Sequence, residues 1–149
     1  MRTVIITGAT RGLGYSLAGA FAHAGYRVGV LGRDLQTAKA ACHRLKGEVW
    51  PIEADVRDAA SLEDAAQDCR QRFGRLDVWI QNAGIVKDRS LIKMTDTEWQ
   101  EVIDTNLTGA FYGIRAAARA MMRQKNGAIL AIGSFVSLQG GYGNANYAA

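Results

Sequence analysis

Val4-Ile5-Ile6-Thr7-Gly8-Ala9-Thr10-Arg11-Gly12-Leu13-Gly14 is the stretch that decides the fold. An apolar, strand-like run enters a glycine-rich turn and leaves it as a helix-like run from Leu13 to Ala24. Gly8 suits the backbone angles of a tight turn. Gly12 lets the backbone approach a diphosphate with no Cβ in the way, and Gly14 lets the helix pack close to the strand. The free N–H groups at the helix start then face the anion, with Thr10, Arg11 and Leu13 lining the same turn. The segment predicts a bound dinucleotide and hence hydride chemistry. A glycine pattern alone is weak evidence, so the rest of the chain has to agree with it.

Working outward, strand-like and helix-like segments alternate. Strands are expected at Thr3–Thr7, Arg27–Leu31, Glu48–Glu53, Leu76–Gln81 and Ala128–Ser134. Helices are expected at Gly12–Ala24, Leu35–Leu45 and Ala59–Phe73, with a long one from Asp96 to Met122. Asp34 is placed to cap the second helix, Asp58 or Ser61 the third, and Thr95 with Glu98 has capping-box spacing. This alternation specifies an α/β fold, a doubly wound parallel sheet of Rossmann type. Right-handed crossovers and a glycine turn on the first strand favour the order 3-2-1-4-5. Nothing resembles a linker or repeat, so residues 1–149 are expected to form a single dinucleotide-binding domain. The chain stops at Tyr147-Ala148-Ala149, about where another helix should begin, so a truncated piece of a longer chain is expected.

Composition narrows the class. The 149 residues are 48% apolar and 21% charged, ordinary for a globular domain. No apolar run approaches the roughly 18 residues of a membrane span, and Met1-Arg2 leads into a strand rather than a signal peptide. Cys42 and Cys69 are not closely spaced, so free thiols in a reducing cytoplasm are expected rather than a metal or redox site. The net charge of +4, from 18 basic and 14 acidic residues, includes no basic stripe with interleaved aromatics. That argues against a nucleic-acid groove. It suits anionic ligands such as a phosphorylated cofactor or an acidic carrier protein.

Cofactor choice is read at the end of the second strand. An acid there would bind a ribose 2′-hydroxyl and repel a 2′-phosphate. The chain has Gly32 followed by Arg33, with Arg11 on the same side, and two guanidinium groups suggest a 2′-phosphate clamp. NADP(H) is therefore expected, with Asp34 read as a helix cap; a solvated loop arginine is the plainer reading of Arg33. Asp55-Val56 follows the third strand, where the carboxylate would accept from an adenine amino group or simply serve a turn. Asn82-Ala83-Gly84 follows the fourth strand, where small residues let backbone lie along a cofactor and Asn82 ties strand ends together. Asn106 sits inside the long helix, where Asn is unfavourable, which suggests a polar role. Ser134 closes the fifth strand, and Tyr147 lies thirteen residues later.

With these motifs in order, the chain resembles the short-chain dehydrogenase/reductase family over its whole length. TGATRGLG stands for the family's TGxxxGxG and QNAG for NNAG, with Gln81 replacing the usual first Asn. Asn106 lies in TNLTG, and Ser134 and Tyr147 have the family spacing. The stretches NAGIVKDRSLIKMTDTEW and AIGSFVSLQGGYGNANYAA are most similar to 3-oxoacyl-(acyl-carrier-protein) reductases. The resemblance implies NADPH-dependent reduction of a 3-oxoacyl thioester. Tyr147 would be the general acid, Ser134 would orient the carbonyl, and Asn106 would hold a water. It implies cofactor contacts at Gly8, Thr10, Arg11, Gly12, Leu13, Gly14, Arg33, Asp55, Val56, Asn82, Ala83 and Gly84. It also implies docking of an acidic carrier at Arg123 and Lys125, which otherwise read as a charged helix end complementing the dipole. A homo-oligomer through the Asp96–Met122 helix is implied too.

The family's Lys, four residues after the Tyr, falls past Ala149. If that Lys brings the phenol pKa from about 10 to about 7, its loss is worth on the order of 4 kcal/mol, about a thousandfold in rate. The alternatives are an NAD-linked alcohol or sugar dehydrogenase of the same family, a nucleotide-binding chain without catalysis, and a fragment unable to fold.

Overall fold

Along Thr3–Thr7 every residue is buried, yet successive side chains serve different layers. Val4 and Ile6 join Ala18, Ala22, Val28, Val30 and Ala41 in one core cluster, whereas Ile5 joins Leu62, Trp79, Ala116 and Ala117 in the other. A strand with a two-residue period and apolar layers on both faces must read as an unbroken apolar run. In the computed structural model, which describes Met1–Ala149, this strand (β1) is the centre of a five-stranded parallel sheet. The elements that follow are α1 (Gly12–His23), β2 (Arg27–Gly32), α2 (Leu35–Arg44), β3 (Val49–Glu53), α3 (Ala59–Phe73) and β4 (Val78–Gln81). Next come α4 (Asp96–Val102), α5 (Gly109–Gln124), β5 (Ala128–Ala131) and two four-residue helices, α6 (Val136–Gln139) and α7 (Ala145–Ala148). The strand order is β3-β2-β1-β4-β5, as expected. Helices α1 and α2 pack on one face, and α3 and α5 on the other. No helix is long and apolar enough to cross a membrane.

The helix starts follow local chemistry. Asp34 accepts from Thr37 N at 2.6 Å, and Asp58 rather than Ser61 caps α3, accepting from Ala60 N at 3.0 Å. Thr95 and Glu98 form a reciprocal capping box at the start of α4. One helical expectation is corrected. Asp96–Met122 is not a single regular helix, because Ile103–Thr108 forms a π-helical turn between α4 and α5. A π-turn widens the helix locally and re-aims the side chains within it. Three strands are also shorter than expected, since β3 begins at Val49, ladder pairing in β4 begins at Val78 and β5 ends at Ala131.

At the amino-terminal edge of the sheet, Asp77 fastens β1 to the segment entering β4. Its carboxylate accepts from Thr3 N at 2.8 Å and from Arg75 Nε at 2.8–2.9 Å, while the side chain is only 6% exposed. Burial alone would raise this carboxyl. Hydrogen bonds from Arg75 and Thr3 and the charges of Arg75 and Arg2 outweigh it, leaving the pKa below the ordinary 3.8. A carboxyl lowered in the folded state stabilises above its unfolded pKa and loses that contribution as pH falls through the folded value. Asp77→Asn should therefore lower unfolding free energy at pH 7 by roughly 1.5–3 kcal/mol, the scale of hydrogen bonds to a charged group. The difference from the parent should shrink below about pH 4, as the parent carboxyl protonates. Urea unfolding at pH 7 and pH 3 checks both.

Candidate functional site

The carboxyl ends of β1, β2, β3 and β4 open into a cavity of about 320 Å³. Gly8, Thr10, Arg11, Gly12, Leu13, Gly14, Arg33, Asp55, Val56, Asn82, Ala83 and Gly84 all line it. The expected nucleotide contacts, read from separate parts of the chain, thus share one wall. This is where an open α/β sheet places ligands. A neighbouring cavity of about 440 Å³ is lined by Asn106, Ser134 and Tyr147. The two cavities share Leu13, Asn82, Ala83 and Gly84, so they form one continuous cleft.

The glycine turn is built for close approach. A Cβ on Gly14 would lie 2.5 Å from Asn82 Nδ2 and against the Gly8 carbonyl, so only glycine lets α1 begin there. At Gly12 (φ +57°) nothing stands within 4 Å of where a Cβ would be, and the backbone faces open cavity. Arg11 precedes α1 without a side-chain cap, whereas α2, α3 and α4 each carry one. An uncapped helix start behind a glycine cradle offers free N–H groups to a diphosphate. The residues present therefore fit a dinucleotide.

Polar side chains hold the loop after β4 against this turn. Thr7 Oγ1 accepts from Asn82 N and Ala83 N, both at 2.9 Å, and Asn82 Nδ2 donates to Thr7 O at 2.9 Å. Asn82 thus ties strand ends together as expected, but Thr7, its partner, was not singled out in the sequence. The only signal for it was its place before Gly8. Gln81 is buried and accepts from Trp79 Nε1 at 3.1 Å, facing the α3/α5 layer rather than the cleft.

Two of the expected residues have partners within the chain, and a third group lies away from the cleft. Asn106 Oδ1 accepts from Ile85 N at 2.8 Å and its Nδ2 donates to Ile85 O at 2.9 Å. The amide thereby pins the loop from both its oxygen and its nitrogen, and one lone pair and one N–H remain for a further partner. Asp55, read as a partner for an adenine amino group or as a turn residue, accepts from the Arg57 backbone N–H at 2.9 Å and from Arg57 Nε and Nη2. That hydrogen-bonded guanidinium, followed by the more distant Arg33 charge, holds the Asp55 carboxyl below its ordinary range against the opposing effect of burial. Arg57 itself lines the cavity and was not anticipated. Arg123 and Lys125 close α5 at the edge where β5 begins. Helix α5 runs back along the sheet for about 24 Å, which puts them at the opposite edge from the cleft.

Around the second cavity, Ser134 Oγ accepts from Val136 N at 3.2 Å, which leaves its proton available to donate. Tyr147 is half-buried, in the same cavity wall. The segment leading to it is tied to the loop after β4: Arg89 N donates to Gly143 O at 2.8 Å, and Asn146 Nδ2 donates to Lys87 O and Glu98 O, each at 3.0 Å. Glu98 accepts from Arg89, and this pair, with the Thr95 backbone, holds the Glu98 carboxyl down to about 2. Asn146 is buried, with its Oδ1 unpartnered, and was also missed. Its type fitted a loop as well as a site.

A family model described as short chain dehydrogenase matches residues 2–149. The chain belongs to that family. It is 39% identical over 152 residues to the 3-oxoacyl-(acyl-carrier-protein) reductase FabG of Staphylococcus aureus strain Mu50, covering 99% of this chain and 62% of that protein. It is 37% identical over 148 residues to the Escherichia coli K12 reductase of the same name, covering 99% and 61%. The chain therefore spans somewhat over three-fifths of the length of these curated relatives. Within this short-chain dehydrogenase, the Asn106–Ile85 pair ties the π-turn to the loop after β4. Asn106→Leu removes both bonds and strands a partly buried N–H, so unfolding free energy should fall by about 1–3 kcal/mol. The Ile85 amide should also exchange faster than its neighbours, as read by hydrogen exchange.

Proposed function

We propose that this chain carries the nucleotide-binding and proton-donating parts of an NADPH-dependent reductase of 3-oxoacyl thioesters. One observation carries the reading: residues expected to hold nucleotide and residues expected to handle a carbonyl line two halves of one cleft. The likeness to reductases named for 3-oxoacyl substrates supplies the substrate class.

When bound, NADPH supplies the hydride. The chain's own residues do the rest. Gly12, Gly14 and the start of α1 receive the diphosphate. Arg11 and Arg33, both exposed and neither in an ion pair, receive the 2′-phosphate. Val56, with Ala54, forms the apolar wall for the base. The Ser134 hydroxyl donates to the substrate carbonyl oxygen and so stabilises the negative charge that builds there. The Tyr147 hydroxyl gives that oxygen its proton.

A phenol with a pKa near ~10 needs a nearby positive charge to exchange protons at neutral pH. The family's Lys after the Tyr is the group this reading assigns to that task. A second copy of the chain against α4 and α5, where Leu107 and Phe111 stand exposed, is the assembly it carries. The free thiols of Cys42 and Cys69 suit a cytoplasmic setting.

Arg33→Ala should weaken NADPH by roughly tenfold to a hundredfold, the scale of charged hydrogen bonds, and NADH far less. Fluorescence titration of both cofactors decides; equal losses would refute the clamp. Tyr147→Phe should cost at least about a hundredfold in turnover of a 3-oxoacyl thioester while leaving NADPH titration intact. Loss of NADPH binding in that variant would mean that Tyr147 supports the pocket instead.

A further inference from the structure

Two carboxylates stand near the Arg11–Arg33 end of the cleft, and both are engaged elsewhere. Asp34, next to Arg33 in the chain, is occupied by Thr37, whose backbone N–H and hydroxyl both donate to it. Asp55 lines the same cavity as Arg33 and lies close enough to feel its charge. Yet both Asp55 oxygens are taken by Arg57. Nε donates to Oδ1 at 3.0 Å and to Oδ2 at 3.1 Å, Nη2 donates to Oδ2 at 2.5 Å, and the Arg57 backbone N–H donates to Oδ1 at 2.9 Å. Arg57 therefore neutralises a carboxylate that would otherwise compete with an anion for Arg33. A guanidinium fork suits this task because it occupies both oxygens in one plane.

We propose that Arg57 is a selectivity-determining positioning residue: by holding Asp55, it leaves Arg33 free for the 2′-phosphate of an adenine nucleotide. The proposal rests on the nucleotide-binding reading above and adds to it a residue that touches neither phosphate nor hydride. Without Arg57, the Asp55 carboxylate turns to Arg33, and the site loses cationic charge where the 2′-phosphate binds. The base and the 5′-phosphate, held by backbone and apolar groups, are left as they were. The pair is partly exposed, with 46% of the Arg57 and 32% of the Asp55 side chain accessible, so substitution there leaves the core untouched.

The test is calorimetric titration of the chain with adenosine 2′,5′-bisphosphate and with adenosine 5′-monophosphate, read as the ratio of the two dissociation constants. A ratio cancels any contact that Asp55 makes with the base. Arg57→Gln should reduce the preference for the bisphosphate roughly fivefold, the scale of one partly exposed ion pair. Asp55→Asn alone should keep or raise the preference, and Asp55→Asn combined with Arg57→Gln should restore it to within about twofold of the parent, because no carboxylate then remains to capture Arg33.

Three results overturn the proposal alone while the parent still prefers the bisphosphate. They are an unchanged ratio in Arg57→Gln, no recovery in the double variant, and a lowered ratio in Asp55→Asn. Two further results take it down together with its foundation. A parent that binds both nucleotides equally removes the 2′-phosphate clamp, and a parent that binds neither removes the nucleotide reading itself.

Discussion

The carbonyl ends of β1 and β4 are held together by side chains rather than by the ladder. Parallel strands leave their last backbone groups facing a loop, and those groups need partners if they are not to face water. Thr7 and Asn82 supply them reciprocally: the threonine oxygen takes two N–H groups from the loop, and the asparagine amide returns a bond to the strand. Each such bond is worth about 1 kcal/mol net, but a buried partner left unpaired costs more. Only with this tie in place does the Ala83-Gly84 backbone lie beside the glycine turn, and only then is Gly14 the one residue that fits. Both halves of the cleft share the residues so positioned, so the cleft depends on this crossing.

How much of this could be read from the sequence depends on how local each cause is. The caps at Asp34, Asp58 and Thr95 act within three residues; the chain alone places Asp34 and Thr95, and narrows the third to Asp58 or Ser61. The strand order follows from alternation and handedness, both visible in the pattern of apolar runs. The π-turn at Ile103–Thr108 was not legible, because apolar spacing continues through it. Its companion feature, the bidentate Asn106–Ile85 pair, joins residues 21 apart in the chain. Asn106 stands out as an unfavourable helix residue, but nothing local names Ile85 as its partner. Likewise, Asp55 is legible as an acid at a strand end, whereas its pairing with the Arg57 guanidinium depends on rotamers within a turn. The two basic residues at the end of α5 were assigned through likeness alone, and the direction of that helix carries them away from the cleft.

The charge arrangement at the Arg11–Arg33 end of the cleft shows why residue type alone is a poor guide to the charge that a ligand would meet. By count, Arg11, Arg33 and Arg57 against Asp34 and Asp55 leave one net positive charge, with no indication of which arginine carries it to a ligand. Hydrogen bonding changes the balance. A carboxylate whose lone pairs are filled by Thr37 or Arg57 still carries its charge, but that charge is screened by its partner and directed away. In water two charges 4 Å apart interact by about 1 kcal/mol, so direct contacts decide which ions act on a ligand. Arg11 and Arg33 are the cationic groups of this rim that remain without an acidic contact.

The half of the cleft containing Tyr147 is positioned from further away. Helix α7 is too short to hold itself in place, since four residues close barely one turn and isolated helices of this length are not stable. Its position comes from the loop after β4 and from α4: Asn146 bonds to Lys87 O and Glu98 O, and Arg89 N bonds to Gly143 O. Those residues are in turn fixed by the capping box at Thr95 and by the Arg89–Glu98 pair. The same loop is pinned at Ile85 by Asn106, from the π-turn that follows α4. A π-turn re-aims the side chains within it, and Asn106, inside this one, meets Ile85. The irregularity in the helix and the placement of the tyrosine are therefore two ends of one arrangement, in which a loop between them is held from both sides.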